Sequence, residues 1–143
     1  MATAETVQLD APHSPKEESI KAFDSILPDL KKDLVHMRKE RNKHEPEYFA
    51  AIESLSDDQL ADFSTKDITT VRVGKTAYGI HLFAALRLPA ASSSYIQFRV
   101  FVAGGDEPPK LHSIHTEEKD DGNGGKTFRA VFGENDELEW FDT

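Results

Sequence analysis

The chain has 143 residues, no cysteine, and 17 basic against 26 acidic residues, a net charge of −9. Structural disulfides and cysteine-based zinc sites are excluded, and the acidic balance disfavours nucleic acid as a partner, because phosphate neutralisation needs a basic surface. No run approaches the ~18 apolar residues needed to span a bilayer. The opening "MATAETVQLDAPHSPKEES" has neither the apolar core of a secretory signal nor the arginines of a transit peptide, so a soluble, cytoplasmic protein is expected.

Residues 1–13 lack periodicity and are expected as a flexible tail before one α+β domain spanning 14–143, with helices over 14–64 and an antiparallel sheet over 67–142. In "SPKEESIKAFDSIL", Ser14 suits a cap, Pro15 the first helical position, and Glu17 and Glu18 the positive end of the helix dipole. Ile20, Phe23, Leu27, Leu30, Leu34 and Met37 recur at helical spacing as one apolar stripe. Pro28 interrupts it and predicts a break, with a second helix opening there. The cations of "KKDLVHMRKERNKH" fall outside the stripe and are read as solvent-facing, with a docking helix as the lesser alternative. Pro46 opens a short helix, and Ser56 with Gln59 forms a capping box ahead of another.

From Asp67 the period becomes two. "DITTVRV" reads as a strand, Gly74-Lys75 as a hairpin turn, "TAYGIHLFAALRL" as a long strand, "PAASS" as a loop and "SYIQFRVFVA" as the next strand. "LHSIHTEE", "TFRAVF" and a final "ELEWF" complete the series, with a glycine-rich turn at "KDDGNGGK". Sequential strands with short connections predict a meander of five to six strands, with the N-terminal helices on one face. Pairing Leu86 with Ile96 keeps every apolar side chain of the two long strands on one face, and a one-residue slip would scatter them.

That register also defines a second face. It sets Arg87 opposite Tyr95, Phe83 opposite Arg99 and His81 opposite Phe101, and it adds Arg72 and Arg129. Residues 68–105 hold four bases and no acid, a cationic island in an acidic chain. The plain expectation is a solvated sheet face with arginines in water or paired to acids. The sharper expectation is a binding face, since arginine beside tyrosine or phenylalanine stacks and recognises carboxylate or phosphate. Its partner would be an acidic protein, a small anion or another protomer, with the acidic stretch Glu134–Glu139 able to supply that partner in trans. Trp140 and Phe141 are expected to pin the C-terminal residues into the sheet.

Other chemistry finds little footing. His112 and His115 point to opposite faces if they lie on a strand, so they do not make a metal pair. "DDGNGGK" lacks the spacing of a calcium loop, and no phosphate-binding or metalloprotease motif is present. "FVAGG" lacks the glutamine of the Q-x-V-x-G loop of cystatin-type inhibitors. No cofactor is implied. The expected function is non-catalytic binding. The alternative is a small-molecule carrier or small pocket enzyme of lyase or isomerase type, with a cavity between helices and curved sheet. Its acid or base would come from Tyr78, His81, His112 or His115.

Overall fold

A computed structural model describes residues 7–143. The long helix α1 (Glu17–His44) leads through a 3-10 helix (Pro46–Ile52), the one-turn α2 (Asp57–Leu60) and a second 3-10 turn (Thr65–Asp67) to six strands. These are β1 (Ile68–Thr76), β2 (Gly79–Leu88), β3 (Ala91–Ala103), β4 (Lys110–Ile114), β5 (Glu117–Asp120) and β6 (Lys126–Arg129). The fold is α+β with antiparallel sheets, but the six strands divide into a four-stranded sheet, β1-β2-β3-β4, and a separate ribbon, β5-β6. The expectation of one continuous meander is corrected there. The charged residues Glu117–Asp120 of β5 offer no apolar face that would reward joining the larger sheet.

The break expected at Pro28 does not occur: α1 passes through it unbroken. Pro28 and the preceding Asp24 and Ser25 are exposed, so the carbonyl that loses its donor is met by water. On the opposite side Ile26, Leu30 and Leu34 are fully buried and hold the helix together. The helix also starts later than its capping signals suggest, after Lys16, which makes no side-chain cap. The reason is tertiary. His13 and Val71 exchange both backbone hydrogen bonds, at 3.0 and 2.7 Å, and draw the chain before the helix along β1.

Residues 1–6 of the expected tail lie outside the described residues, whereas 7–13 run antiparallel to β1 through bridges at Leu9–Gly74 and His13–Val71. Gly74 is thereby explained. A Cβ there would meet Val7 Cγ1 at 2.8 Å, so the glycine admits the crossing segment and is not the hairpin turn. The turn lies at Ala77-Tyr78, followed by Gly79 at φ +152°, where a Cβ would collide with the Val102 carbonyl. "PAASS" likewise contracts to a turn at Pro89-Ala90, with β3 starting at Ala91.

The long-strand register is as the pattern requires: Leu86 pairs with Ile96, Arg87 with Tyr95, Phe83 with Arg99 and His81 with Phe101. One buried cluster joins Phe23, Ile26, Leu30 and Leu34 of α1 to Leu82, Ala84, Leu86, Ile96, Phe98 and Val100 of β2 and β3. Phe23 meets Phe98 edge to face at 5.6 Å. Arg38 continues this stripe one turn past Leu34 and is buried, not solvent-facing. It donates to the carbonyls of Ile52 and Leu55 and to Asp57, at 3.3, 2.7 and 2.6 Å. It thus ties α1 to the connection before α2.

Candidate functional site

The second face of the four-stranded sheet is covered by the chain itself. Residues 137–143, expected in part as a strand, form an irregular strap across it. The spacing of its anchors explains why no strand forms. Leu138 and Phe141 are both buried against Phe83, and residues three apart would face opposite ways in a strand.

Arg99 is the centre of the site. Only 3% of it is exposed. Its NH1 donates to the Phe141 carbonyl at 3.0 Å and to Asp142 Oδ1 at 3.2 Å. The guanidinium lies 4.5 Å from the Trp140 ring and 5.2 Å from that of Phe83. Burial pulls Arg99 below its usual pKa, and the hydrogen bond and charge of Asp142 oppose that shift. Its Nε has no partner among the described residues. Arg99 NH2 lies 3.0 Å from His81 Nδ1. Guanidinium has only donors, so Nδ1 must accept and the His81 proton must sit on Nε2. Burial, then the Arg99 and His112 charges, lower the His81 pKa. Its ring packs against Phe101 at 5.0 Å and Trp140 at 5.6 Å.

Further side chains grip the strap by its backbone. Arg72 NH1 donates to the Leu138 carbonyl at 2.9 Å, while its Nε holds the Asp10 carbonyl at 2.8 Å. Gln97 Nε2 reaches the Glu137 carbonyl at 3.5 Å. His115 Nδ1 donates to the Thr143 carbonyl at 2.7 Å, and its ring stacks on Phe141 at 4.2 Å and on Phe132 at 5.1 Å. Burial lowers the His115 pKa; the Thr143 hydrogen bond and Glu117 oppose this, while Arg129 adds to it.

His81, Phe83 and Arg99 therefore meet around Trp140 and Phe141, Arg72 holds the strap earlier, at Leu138, and Phe101 backs the His81 ring. Of the other three residues of the expected face, Tyr95 and Arg129 have other direct partners, although Tyr95 lines a groove with Arg72, Gln97 and Leu138, and Arg129 one with Gln97, His115 and Trp140. Tyr95 is buried and exchanges backbone hydrogen bonds with Phe132, Arg87 opposite it is exposed, and Arg129 belongs to the separate ribbon. There Arg129 donates to Glu117 at 2.7 Å and to Asp136 at 3.1 Å, and lies over Phe132. Those carboxylates raise its pKa. Burial pushes Glu117 up, but the Arg129 hydrogen bond and charge outweigh it and hold the carboxyl below its usual value. Asp136 is lowered in the same way, burial being outweighed by the Gly133 N–H and Arg129.

Gln97, His115 and Asp142 were not among the residues expected to bind. Gln97 shares the parity of Arg99, which was a usable signal; the roles of His115 and Asp142 depend on where the strap crosses. The four residues suggested for a pocket acid or base do not converge. Tyr78 is 75% exposed in the β1–β2 turn, His81 lies under Trp140, His112 is exposed at the β3–β4 bulge, and His115 is stacked between two phenylalanines. A groove of about 530 Å³ runs between α1 and β4, with Met37, Leu111 and Ile114 along it and His36, Glu40, Arg41 and His112 among its polar residues. Among the described residues, no group of three or more His, Cys, Asp or Glu is placed to hold a metal ion. No helix among them is long and apolar enough to cross a membrane.

Searches of protein-family models, curated proteins and solved structures each give no match for this chain.

Proposed function

We propose that this protein is a soluble, cytoplasmic, non-catalytic interaction module that binds acidic, aromatic peptide segments on its cationic sheet face. The reading takes the N-terminal helices to cover the opposite face, which the Phe23–Phe98 contact supports. One observation carries it: the strap occupying the face has the chemistry of the partner expected for it. "ELEWFDT" brings three carboxylates, Trp140 and Phe141 to arginines and aromatic rings, but from the same chain. A partner segment would displace the strap by offering the same backbone carbonyls and apolar anchors. Backbone contacts from Arg72, Gln97 and Arg99 supply affinity with little sequence demand, and the Phe83 surface selects an aromatic side chain.

The competing carrier or pocket-enzyme reading would use the groove between α1 and β4. Along that groove His112 Nδ1 lies 2.9 Å from Ser113 Oγ, but the pair joins adjacent residues and His112 is exposed, so it carries less than the occupied sheet face.

The full chain carrying Trp140→Ala and Phe141→Ala keeps the face and weakens its own strap. A fluorescein-labelled peptide of residues 136–143 should bind this variant in an anisotropy titration, bind the unaltered chain more weakly, and lose affinity with added salt. Adding Arg99→Glu should abolish binding. A variant with native circular dichroism that fails to bind the peptide refutes the reading.

A further inference from the structure

We propose that acid releases the strap: a proton on His81 Nδ1 takes away the acceptor used by Arg99 and sets two cations side by side beneath residues 137–143. This adds regulation to the face described above. It rests on that reading only for what binds once the face is open.

The geometry leaves His81 one protonation state. Its Nδ1 accepts from Arg99 at 3.0 Å, and both side chains are buried, 6% and 3% exposed. Protonated His81 has donors at both nitrogens and no acceptor. The contact would then set donor against donor and charge against charge where water cannot screen it. The strap bears the consequence, because the same guanidinium holds the Phe141 carbonyl, Asp142 and the Trp140 face.

The surrounding charges do not rescue the protonated state. β3 supplies Arg99 itself. β4 supplies His112, a further source of positive charge, and exposed Lys110 opposite Phe101. β1 sets uncharged Gly74 opposite His81 and Arg72 two residues along. The strap contributes exposed Glu139 and the Asp142 carboxylate, which is already engaged by Arg99 and 69% exposed. Burial and the neighbouring cations lower the His81 pKa in the closed state, so opening takes up a proton. The closed form is therefore favoured above the ordinary histidine pKa of 6.5 and loses ground as pH falls below it. The closed-to-open ratio should fall by up to about tenfold per pH unit for one proton until the lowered pKa is passed.

Trp140 is the chain's one tryptophan and lies in the strap, so its emission reads the strap directly. In the full chain, lowering the pH from 8 to 5.5 should red-shift Trp140 emission and raise its quenching by acrylamide, while far-ultraviolet circular dichroism stays constant. His81→Gln keeps an acceptor for Arg99 and cannot titrate, so its Trp140 signal should lose the His81 step and keep only what His115, which also holds the strap and has a lowered pKa, contributes. Should that variant not fold, nitrogen-15 NMR of the unaltered chain decides. Protonation of His81 should coincide with a change in the Trp140 indole N–H, which donates to Asp142 at 3.2 Å. The proposal is overturned by an unchanged Trp140 signal in the unaltered chain, by an unchanged acid transition in folded His81→Gln, or by His81 titrating without the indole signal moving. None of these readouts uses an external peptide, so acid release and peptide binding can fail separately.

Discussion

Replacing Arg99 by methionine tests whether the guanidinium is what keeps the strap closed. The side chain donates to the Phe141 carbonyl, and a charged donor of this kind contributes about 1.5–3 kcal/mol. The Asp142 contact adds about 0–1 kcal/mol, since that carboxylate is 69% exposed and returns easily to water. The Trp140 and Phe83 faces, 4.5 and 5.2 Å from the guanidinium, add about 0.5–2 kcal/mol. Two terms oppose these. Arg99 Nε is buried without a partner among the described residues, a cost of about 1–3 kcal/mol that methionine removes. The thioether also contacts aromatic rings favourably, by about 0.3–1.5 kcal/mol. The central values balance to a loss of about 1 kcal/mol, or roughly fivefold in the closed-to-open ratio. Acrylamide quenching of Trp140 and amide hydrogen exchange over residues 137–143 measure it. An Arg99→Met protein whose strap is as protected as the parent's would refute the account, and the aromatic contacts alone would then hold the strap.

Phe141→Ala removes a buried ring packed against Phe83 and His115 and should lower stability by about 3 kcal/mol in urea unfolding. Arg38→Ala leaves the Ile52 and Leu55 carbonyls without their donor and should also cost about 3 kcal/mol, seen as a lower Tm. Gly79→Ala combines a positive φ with a collision at the Val102 carbonyl and should destabilise by at least about 2 kcal/mol. The urea midpoint should respond to pH in two stages. His81, His112 and His115 have lowered pKa values, so the native state binds protons less readily than the unfolded chain, and stability falls as pH drops below 6.5. Glu117 and Asp136 are held below their ordinary 4.5 and 3.8, so their contribution is complete above those values and is lost as pH falls through the lowered ones. A midpoint unchanged from pH 7 to 3 would contradict both assignments.

Much of the sheet was legible along the chain because strand register is a local consequence of parity. A one-residue slip would turn Ile96, Phe98 and Val100 away from Leu86, Ala84 and Leu82, and the alignment that pairs them carries the Phe83–Arg99 and His81–Phe101 pairs with it. The capping box at Ser56 and Gln59 was legible for the same reason, since both hydrogen bonds close within four residues. Signals that depend on distant chain misled. Ser14 looks like a cap, but Val71 holds His13 extended. Gly74 looks like a turn, but it makes room for Val7. Arg38 looks solvated among its neighbouring cations, but carbonyls 14 and 17 residues away claim it.

The sequence by itself determined that residues 68–105 carry arginines and aromatics without acids on one side of a pair of long strands, because composition and alternation are properties of the chain. Only the tertiary structure decided what that side faces. Residues 137–143 have a choice between pairing as an edge strand and lying flat. Burying Leu138 and Phe141 together on Phe83 requires a spacing of three, which no strand permits. The Glu137, Leu138 and Phe141 carbonyls, left without ladder partners, are then taken by Gln97, Arg72 and Arg99, side chains 40 to 66 residues away. That exchange of ladder bonds for side-chain bonds depends on where the C-terminal residues cross the sheet, a long-range fact that local pattern does not contain.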